Sequence, residues 1–265
     1  MVKGDRSRGA AAGGTGHAAS AIMRRDAPDS DAGVLRAWHR AIDDVADVRD
    51  TETLLRPGTR PLEVDGERIG LVHVTHERPA PGEGWTVVVL FHGAGANAAD
   101  ILPLLADVPA RGPTIVIAPD SVASSWDLVH GRIGPDIRRL DSALELVLDH
   151  IPIARERTAV AGFSDGASYA LSVGLANGEL FPNIIAFSPG FASPPRIVGE
   201  PRIFISHGTG DRVLPIDRCS RVIVPRLRGA AYAVEYNEFE GGHAVPEPMV
   251  EAALDWLSAA PVSAT

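Results

Sequence analysis

Between a short apolar run and an alanine-rich stretch, the chain places Gly162-Phe163-Ser164-Asp165-Gly166. The run before it, Thr158-Ala159-Val160-Ala161, is small, apolar and partly β-branched, as a buried strand requires. The run after it, Ala167 to Ala176, is rich in Ala, Leu and Ser and reads as a packed helix. A strand that passes directly into a helix belongs to a parallel sheet, because the helix carries the chain back across one face. Glycines two positions before and after Ser164 allow the close backbone approach of a tight strand-to-helix turn. Two glycines around a serine also occur in ordinary turns, so the rest of the chain decides what this element means.

The rest of the chain alternates in the same way. Strands are expected near 69–76, 86–91, 114–118, 157–163, 183–188, 202–206 and 232–238, with helical segments between them. Val87-Val88-Val89-Leu90-Phe91 is apolar throughout, the pattern of a parallel strand covered on both faces. Leu62 and Val64 lead into Asp65-Gly66 and then Ile69 and Leu71, a hairpin signal that predicts an antiparallel edge. A helix is expected over Gly134 to Ile151 and a last one over Pro246 to Ala259. The predicted class is α/β, with a mostly parallel central sheet and helices on both faces. With 22 residues between Ser188 and Asp211, there is little room there for a large cap domain.

Two further residues join Ser164 at carboxyl ends of strands, the edge where open α/β sheets place their sites. Arg202-Ile203-Phe204-Ile205-Ser206 runs into His207-Gly208-Thr209-Gly210-Asp211, so Asp211 lies in a turn just past a buried strand. His243 follows the strand around Val234 on the glycine-hinged loop Gly241-Gly242-His243. A serine hydroxyl becomes a nucleophile when a histidine takes its proton and an acid fixes the imidazole tautomer. Ser164, Asp211 and His243 follow in the chain order of that arrangement in α/β-hydrolases. The fourth element is His92-Gly93-Ala94-Gly95, a small-residue loop after an early strand. An oxyanion hole takes one N–H from the residue after the nucleophile, here Asp165, and one from such a loop, here Ala94. Gly93 and Gly95 flank the second donor and fall beside the substrate. A phosphate cradle is disfavoured for this loop because the lysine of a Walker motif is missing.

Taken together, FHGAG, the APDS stretch at Ala118 to Ser121, SSWDL at Ser124 to Leu128, GFSDG, SHGTGD and GGHAVP are specific in order and spacing. On them, the chain from about Trp85 to Leu257 resembles the phospholipase/carboxylesterase family of α/β-hydrolases, near dienelactone-hydrolase and polyhydroxyalkanoate-depolymerase-like esterases. The resemblance implies a serine esterase without a cofactor. It also implies that Trp126, after the fourth strand, lines the acyl pocket. Two positions depart from the family pattern. Asp165 stands where Gln or Ala often follows the nucleophile, and Trp126-Asp127 stands where some members have Trp-Phe-Asp.

Composition limits the alternatives. At 265 residues, 45% hydrophobic and 22% charged, the chain reads as a soluble protein with one sizeable domain. A net charge of −9 argues against nucleic acid as a partner. The single cysteine, Cys219, excludes an intramolecular disulfide and points to a cytoplasmic protein, and its place in an expected helix suggests packing rather than reactivity. No histidines sit at a zinc-ligand spacing beside a third ligand, so no metal is expected. No run approaches the roughly 20 apolar residues of a membrane span. Residues 1–30 are rich in Gly, Ala, Ser and Arg without periodicity and read as a disordered basic tail, with Arg24-Arg25 not followed by a signal-peptide apolar stretch. Residues 31–60 read as an amphipathic helix and linker packed on the body: Val34, Leu35, Trp38, Ile42, Val45 and Val48 share one face. Homodimerisation through that face is the lesser alternative. Residues 61–265 form the catalytic domain.

His92 and His207 are read as loop-holding residues, with substrate contact the lesser alternative. Asp120 also follows a strand, but it precedes the serine, so Asp211 is preferred as the acid. The reading is a serine hydrolase acting on short-chain or small acyl esters. Thioesters, lysophospholipids and polyester fragments are variants of one chemistry that the sequence does not separate. The competing class is a non-catalytic binding module on the same fold, which an intact Ser-Asp-His set disfavours.

Overall fold

The unbroken apolar run Val87–Phe91 is explained by the sheet it enters. Val87, Val89 and Phe91 face one hydrophobic cluster, and Val88 and Leu90 face the other. Both faces are therefore apolar because both are covered, as a parallel strand buried between two layers requires. The computed structural model describes residue 35 and residues 55–80, 82–130, 134–148 and 151–259.

The hairpin comes first. Strands β1 (Gly58–Val64) and β2 (Glu67–Val74) pair antiparallel, with Val64 opposite Glu67. Asp65 and Gly66 between them both have positive φ, 53° and 79°, the two-residue turn whose twist suits a hairpin. Then follow β3 (Thr86–Phe91), two single helical turns α1 (Ala98–Ile101) and α2 (Pro103–Ala106), and β4 (Thr114–Pro119). Helix α3 (Pro135–Leu148), β5 (Ala159–Phe163) and α4 (Asp165–Ala176) lead to β6 (Asn183–Phe187) and β7 (Arg202–Gly208). Helix α5 (Ser220–Gly229), β8 (Val234–Phe239) and α6 (Glu247–Ser258) complete the described chain.

The eight strands form one sheet in the order β1-β2-β4-β3-β5-β6-β7-β8. Pairing is antiparallel from β1 to β4 and parallel from there to β8. The order reverses around β3 and β5, so the loops after β3 and β5 open side by side at the carboxyl edge. Apolar residues of α3, α4 and α5 pack on one face, and those of α1, α2 and α6 on the other. This is the α/β-hydrolase arrangement expected from the sequence.

Most element ends move by one or two residues from the predicted ones. The strand expected over 157–163 begins at Ala159, because Arg155–Arg157 closes a short 3-10 turn. The helix expected over Gly134 to Ile151 spans Pro135–Leu148, with proline at its start, where a missing N–H costs nothing. Cys219 lies just before α5 rather than inside it, and it is buried.

The chain between β6 and β7 has no helix, and buried serines of α4 hold it down. Ser168 Oγ accepts from the Gly190 amide at 2.9 Å, and Ser172 Oγ accepts from the Ser193 amide at 3.0 Å. No cap layer occurs among the described residues. The segment expected as a basic tail and most of the segment expected as an amphipathic helix lie outside the described residues. Leu35, from the latter segment, is buried in the core, and its amide donates to Asn177 Oδ1 at 2.9 Å. No helix among the described residues is long and apolar enough to cross a membrane.

Candidate active site

The turn after β5 has the backbone that its sequence demands. Ser164 has φ 58° and ψ −120°, a strained position for a residue with a side chain. The surrounding contacts enforce it. A Cβ on Gly162 would lie 2.2 Å from the Gly166 carbonyl oxygen, and one on Gly166 would lie 2.2 Å from that of Phe91. Neither position accepts another residue without moving backbone. The Ser164 amide donates to Phe187 O at 3.0 Å, while its carbonyl accepts from Ala167 and Ser168 to start α4.

Ser164, Asp211 and His243 come from three separate loops at the carboxyl edge and meet in one hydrogen-bonded chain. Ser164 Oγ lies 2.8 Å from His243 Nε2, and His243 Nδ1 lies 2.6 Å from Asp211 Oδ2. With Nδ1 donating to the carboxylate, Nε2 is left to accept from the serine hydroxyl. The imidazole also packs against Phe163, ring centres 4.7 Å apart.

Asp211 is fully buried, and every lone pair of consequence is occupied. Oδ1 accepts from the Val213 and Leu214 amides at 2.8 and 2.9 Å. Oδ2 accepts from His243, and His207 Nε2 stands 3.3 Å away. Burial opposes the charge. The hydrogen bond from His243 and the two amides outweigh it and hold the carboxyl below its ordinary range. His207 is buried behind it, donating from Nε2 to Leu214 O at 2.8 Å and accepting at Nδ1 from Ser220 Oγ at 2.7 Å. Burial lowers its pKa from 6.5, against the Leu214 carbonyl and Asp211, so it serves as a neutral brace. That is the loop-holding place expected for it.

His92 braces the other loop. Its Nδ1 lies 2.8 Å from Gly93 O, and its Nε2 accepts from the Ser121 amide at 3.1 Å. The chain then turns at Gly95, φ 71°, whose amide donates to Ser124 O. Gly93 faces Ser164 so closely that a Cβ there would lie 3.4 Å from Ser164 Cβ. Ala94 is exposed at the tip. Among the described residues neither the Ala94 amide nor the Asp165 amide, at the start of α4, has a protein acceptor. Asp165 sends its carboxylate elsewhere, accepting from Ser125 Oγ at 2.8 Å.

Trp126 is the expectation that fails. It does not line an acyl pocket: it is 1% exposed and lies under the His92–Gly95 loop. Its Nε1 donates to His92 O at 2.9 Å. Its ring stacks on Tyr169 at 4.8 Å and 16°, and meets Phe91 edge-on at 5.0 Å. A large aromatic with its one polar atom satisfied is worth more as core than as wall. Asp120, the rejected acid, accepts from the Ala98 amide at 2.7 Å and pairs with Arg68.

A pair of buried carboxylates that sequence reasoning passed over anchors the segment around Trp126. Asp127 Oδ2 accepts from the Gly134 and Asp136 amides at 2.9 and 3.1 Å and caps α3. Asp136 returns the favour, accepting from the Val122 and Asp127 amides at 2.8 Å each. Burial raises the Asp136 pKa, and the Val122 amide partly offsets this. Burial, then Asp127 and Asp136, push the Tyr169 phenol well above its ordinary range, so it remains a neutral hydroxyl facing Asp127. The available signal was Asp127 placed shortly before Gly134-Pro135-Asp136, an acid on each side of a helix start. No cluster of three metal-ligating side chains occurs among the described residues.

The profile of the family described as phospholipase/carboxylesterase matches residues 132–260. Among solved structures, the fold is similar to that of esterase PE8, at 24% identity over 68% of this chain and 94% of that one, TM-score 0.56. It is similar too to a phospholipase/carboxylesterase from Dyadobacter fermentans, at 23% identity over 77% and 99% of the two chains, TM-score 0.54. A third is Thermogutta terrifontis esterase 2 phosphorylated by paraoxon, at 17% identity over 75% and 90%, TM-score 0.54. No curated protein sequence matches the chain. The stretch 132–260, which supplies Ser164, Asp165, Asp211 and His243, matches the phospholipase/carboxylesterase family, and the chain has the α/β-hydrolase fold of the esterases it resembles.

Proposed function

We propose that this chain hydrolyses short-chain or small acyl esters through an acyl-enzyme, with Ser164 as nucleophile, His243 as general base and acid, and Asp211 as the acid that orients it. The observation that carries the reading is the continuous hydrogen-bonded chain from Ser164 Oγ through His243 to Asp211 Oδ2. As Oγ attacks the ester carbonyl, its proton passes to His243 Nε2, and Asp211 stabilises the imidazolium. The Ala94 and Asp165 amides receive the developing oxyanion. Each has a free N–H, and loss of one such donor typically costs about 3 kcal/mol of transition-state stabilisation. His243 then protonates the leaving alcohol. Water, deprotonated by the same imidazole, releases the acid and restores Ser164.

The preference for small acyl groups rests on the region between β6 and β7. It is tied to α4 through Ser168 and Ser172 and carries no helix that would cover the site. A thioester would follow the same steps. A non-catalytic role on this fold finds no supporting feature in the site.

The test is covalent. A fluorophosphonate probe, or paraoxon, should modify the native chain once, at Ser164, and stop turnover of p-nitrophenyl acetate. Ser164→Ala should neither label nor turn over, because no nucleophile remains. A series of p-nitrophenyl esters of rising acyl length should give falling kcat/KM beyond short chains. Labelling that persists in Ser164→Ala would sink the assignment, and a rate that climbs with chain length or jumps on emulsification would sink the substrate class.

A further inference from the structure

The segment Ser124-Ser125-Trp126 touches both halves of the oxyanion hole. Ser124 O accepts from the Gly95 amide, and Trp126 Nε1 donates to His92 O, so two bonds hold the loop that carries Ala94. Between those residues, Ser125 Oγ reaches across to Asp165 Oδ2, on the residue that supplies the other donor. Ala94 and Asp165 lie on different loops, after β3 and β5, and no other side chain among the described hydrogen bonds links Asp165 to the Ala94 side.

The segment itself does not give way. Asp136 accepts from the Val122 and Asp127 amides on either side of it, and Asp127 in turn caps α3. Ser125 is 5% exposed, so water competes poorly for its hydroxyl. Asp165 is the position at which the sequence departs from the usual Gln or Ala; Ala has no acceptor for this bond, and Asp offers a charged one on a side chain one methylene shorter than Gln.

We infer that Ser125 is a positioning residue: through Asp165 it sets the spacing of the two oxyanion donors. The inference rests on the esterase reading above. Oxyanion donors act because they are already in place when charge develops, and misplacement by a fraction of an ångström forfeits the gain. Loss of the clamp therefore acts on the transition state and leaves ground-state binding alone.

The experiment is a double-mutant cycle between Ser125→Ala and Asp165→Ala on a short-chain p-nitrophenyl ester. It is read as kcat and KM separately and as inhibition by a trifluoromethyl ketone, which forms a tetrahedral oxyanion on the serine. Ser125→Ala should lower kcat about tenfold, a part of the loss from deleting a whole donor, with KM within about twofold. Its affinity for the ketone should fall by a like factor. Asp165→Ala should do the same, and the double variant should lose no more than either single one, because one contact is broken in each case. Additive losses, a loss confined to KM, or an unchanged kcat in Ser125→Ala would overturn the clamp while leaving the esterase reading intact. A native chain that neither labels with fluorophosphonate nor turns over ester overturns both.

Discussion

Replacing Asp211 by Asn changes one atom and tests the whole relay. In the native site both oxygens accept: Oδ1 from the Val213 and Leu214 amides at 2.8 and 2.9 Å, Oδ2 from His243 Nδ1 at 2.6 Å. An Asn oxygen must stay with the two amides, since turning the group over would set its NH2 against two N–H donors. The NH2 then occupies the Oδ2 position and donates to His243 Nδ1. The imidazole is forced to carry its proton on Nε2, which points at Ser164 Oγ 2.8 Å away and cannot accept. A tautomer switch of this kind costs about 10⁴-fold in kcat, or about 5.5 kcal/mol. KM should change little, because the carboxylate touches no substrate. The acid limb of stability should change with it. The folded pKa of Asp211 is depressed, so its contribution is present above the unfolded value of about 3.9 and is lost as pH falls through the folded one. Steady-state hydrolysis of p-nitrophenyl acetate, with denaturation followed from pH 2 to 7, reads both effects. An Asp211→Asn variant within tenfold of native kcat would show that His243 does not depend on this carboxylate.

Trp126→Ala should cost about 3–5 kcal/mol of stability, seen in chemical denaturation, as its ring is core under the His92–Gly95 loop. A change in KM with native stability would return it to the pocket wall. Asp136→Asn should cost about 1–3 kcal/mol, because both its oxygens accept amides and the new NH2 would face one of them. Asp127→Asn should cost less, since its amides share Oδ2 and the other end faces the Tyr169 hydroxyl. Equal melting temperatures for the two variants would contradict this. Burial holds the His207 pKa below 6.5, so the unfolded chain gains a proton the folded one refuses, and stability should decline as pH drops below about 6.5. His207→Gln should flatten that part of the profile, and an unaltered slope would place its origin elsewhere.

The sequence on its own determined the features that local chemistry dictates. A short, Val-rich apolar run with no polar break has the pattern of a strand covered on both faces, and Val87–Phe91 is one. Asp65-Gly66 can make the positive-φ turn that a tight hairpin needs, and the chain turns there. Glycines around Ser164 are required because backbone passes within 2.2 Å of where their side chains would be. The order of Ser164, Asp211 and His243 after successive strands then brings them to one edge, since parallel strands put all their carboxyl ends on the same side. What the tertiary structure alone decided is which side chains face inward once the loops close over the sheet. Trp126 has the chemistry of a pocket wall, and no local pattern says that Tyr169 and Phe91 will enclose it. Asp127 and Asp136 look like solvated charges until the fold sets each beside the other's amides. Ser125 and Asp165 lie 40 positions apart, and their bond exists only because the loop after β4 crosses the turn after β5. Periodicity reports burial along one element, whereas such contacts depend on the distance between elements, which the packing of the whole sheet and its helices fixes.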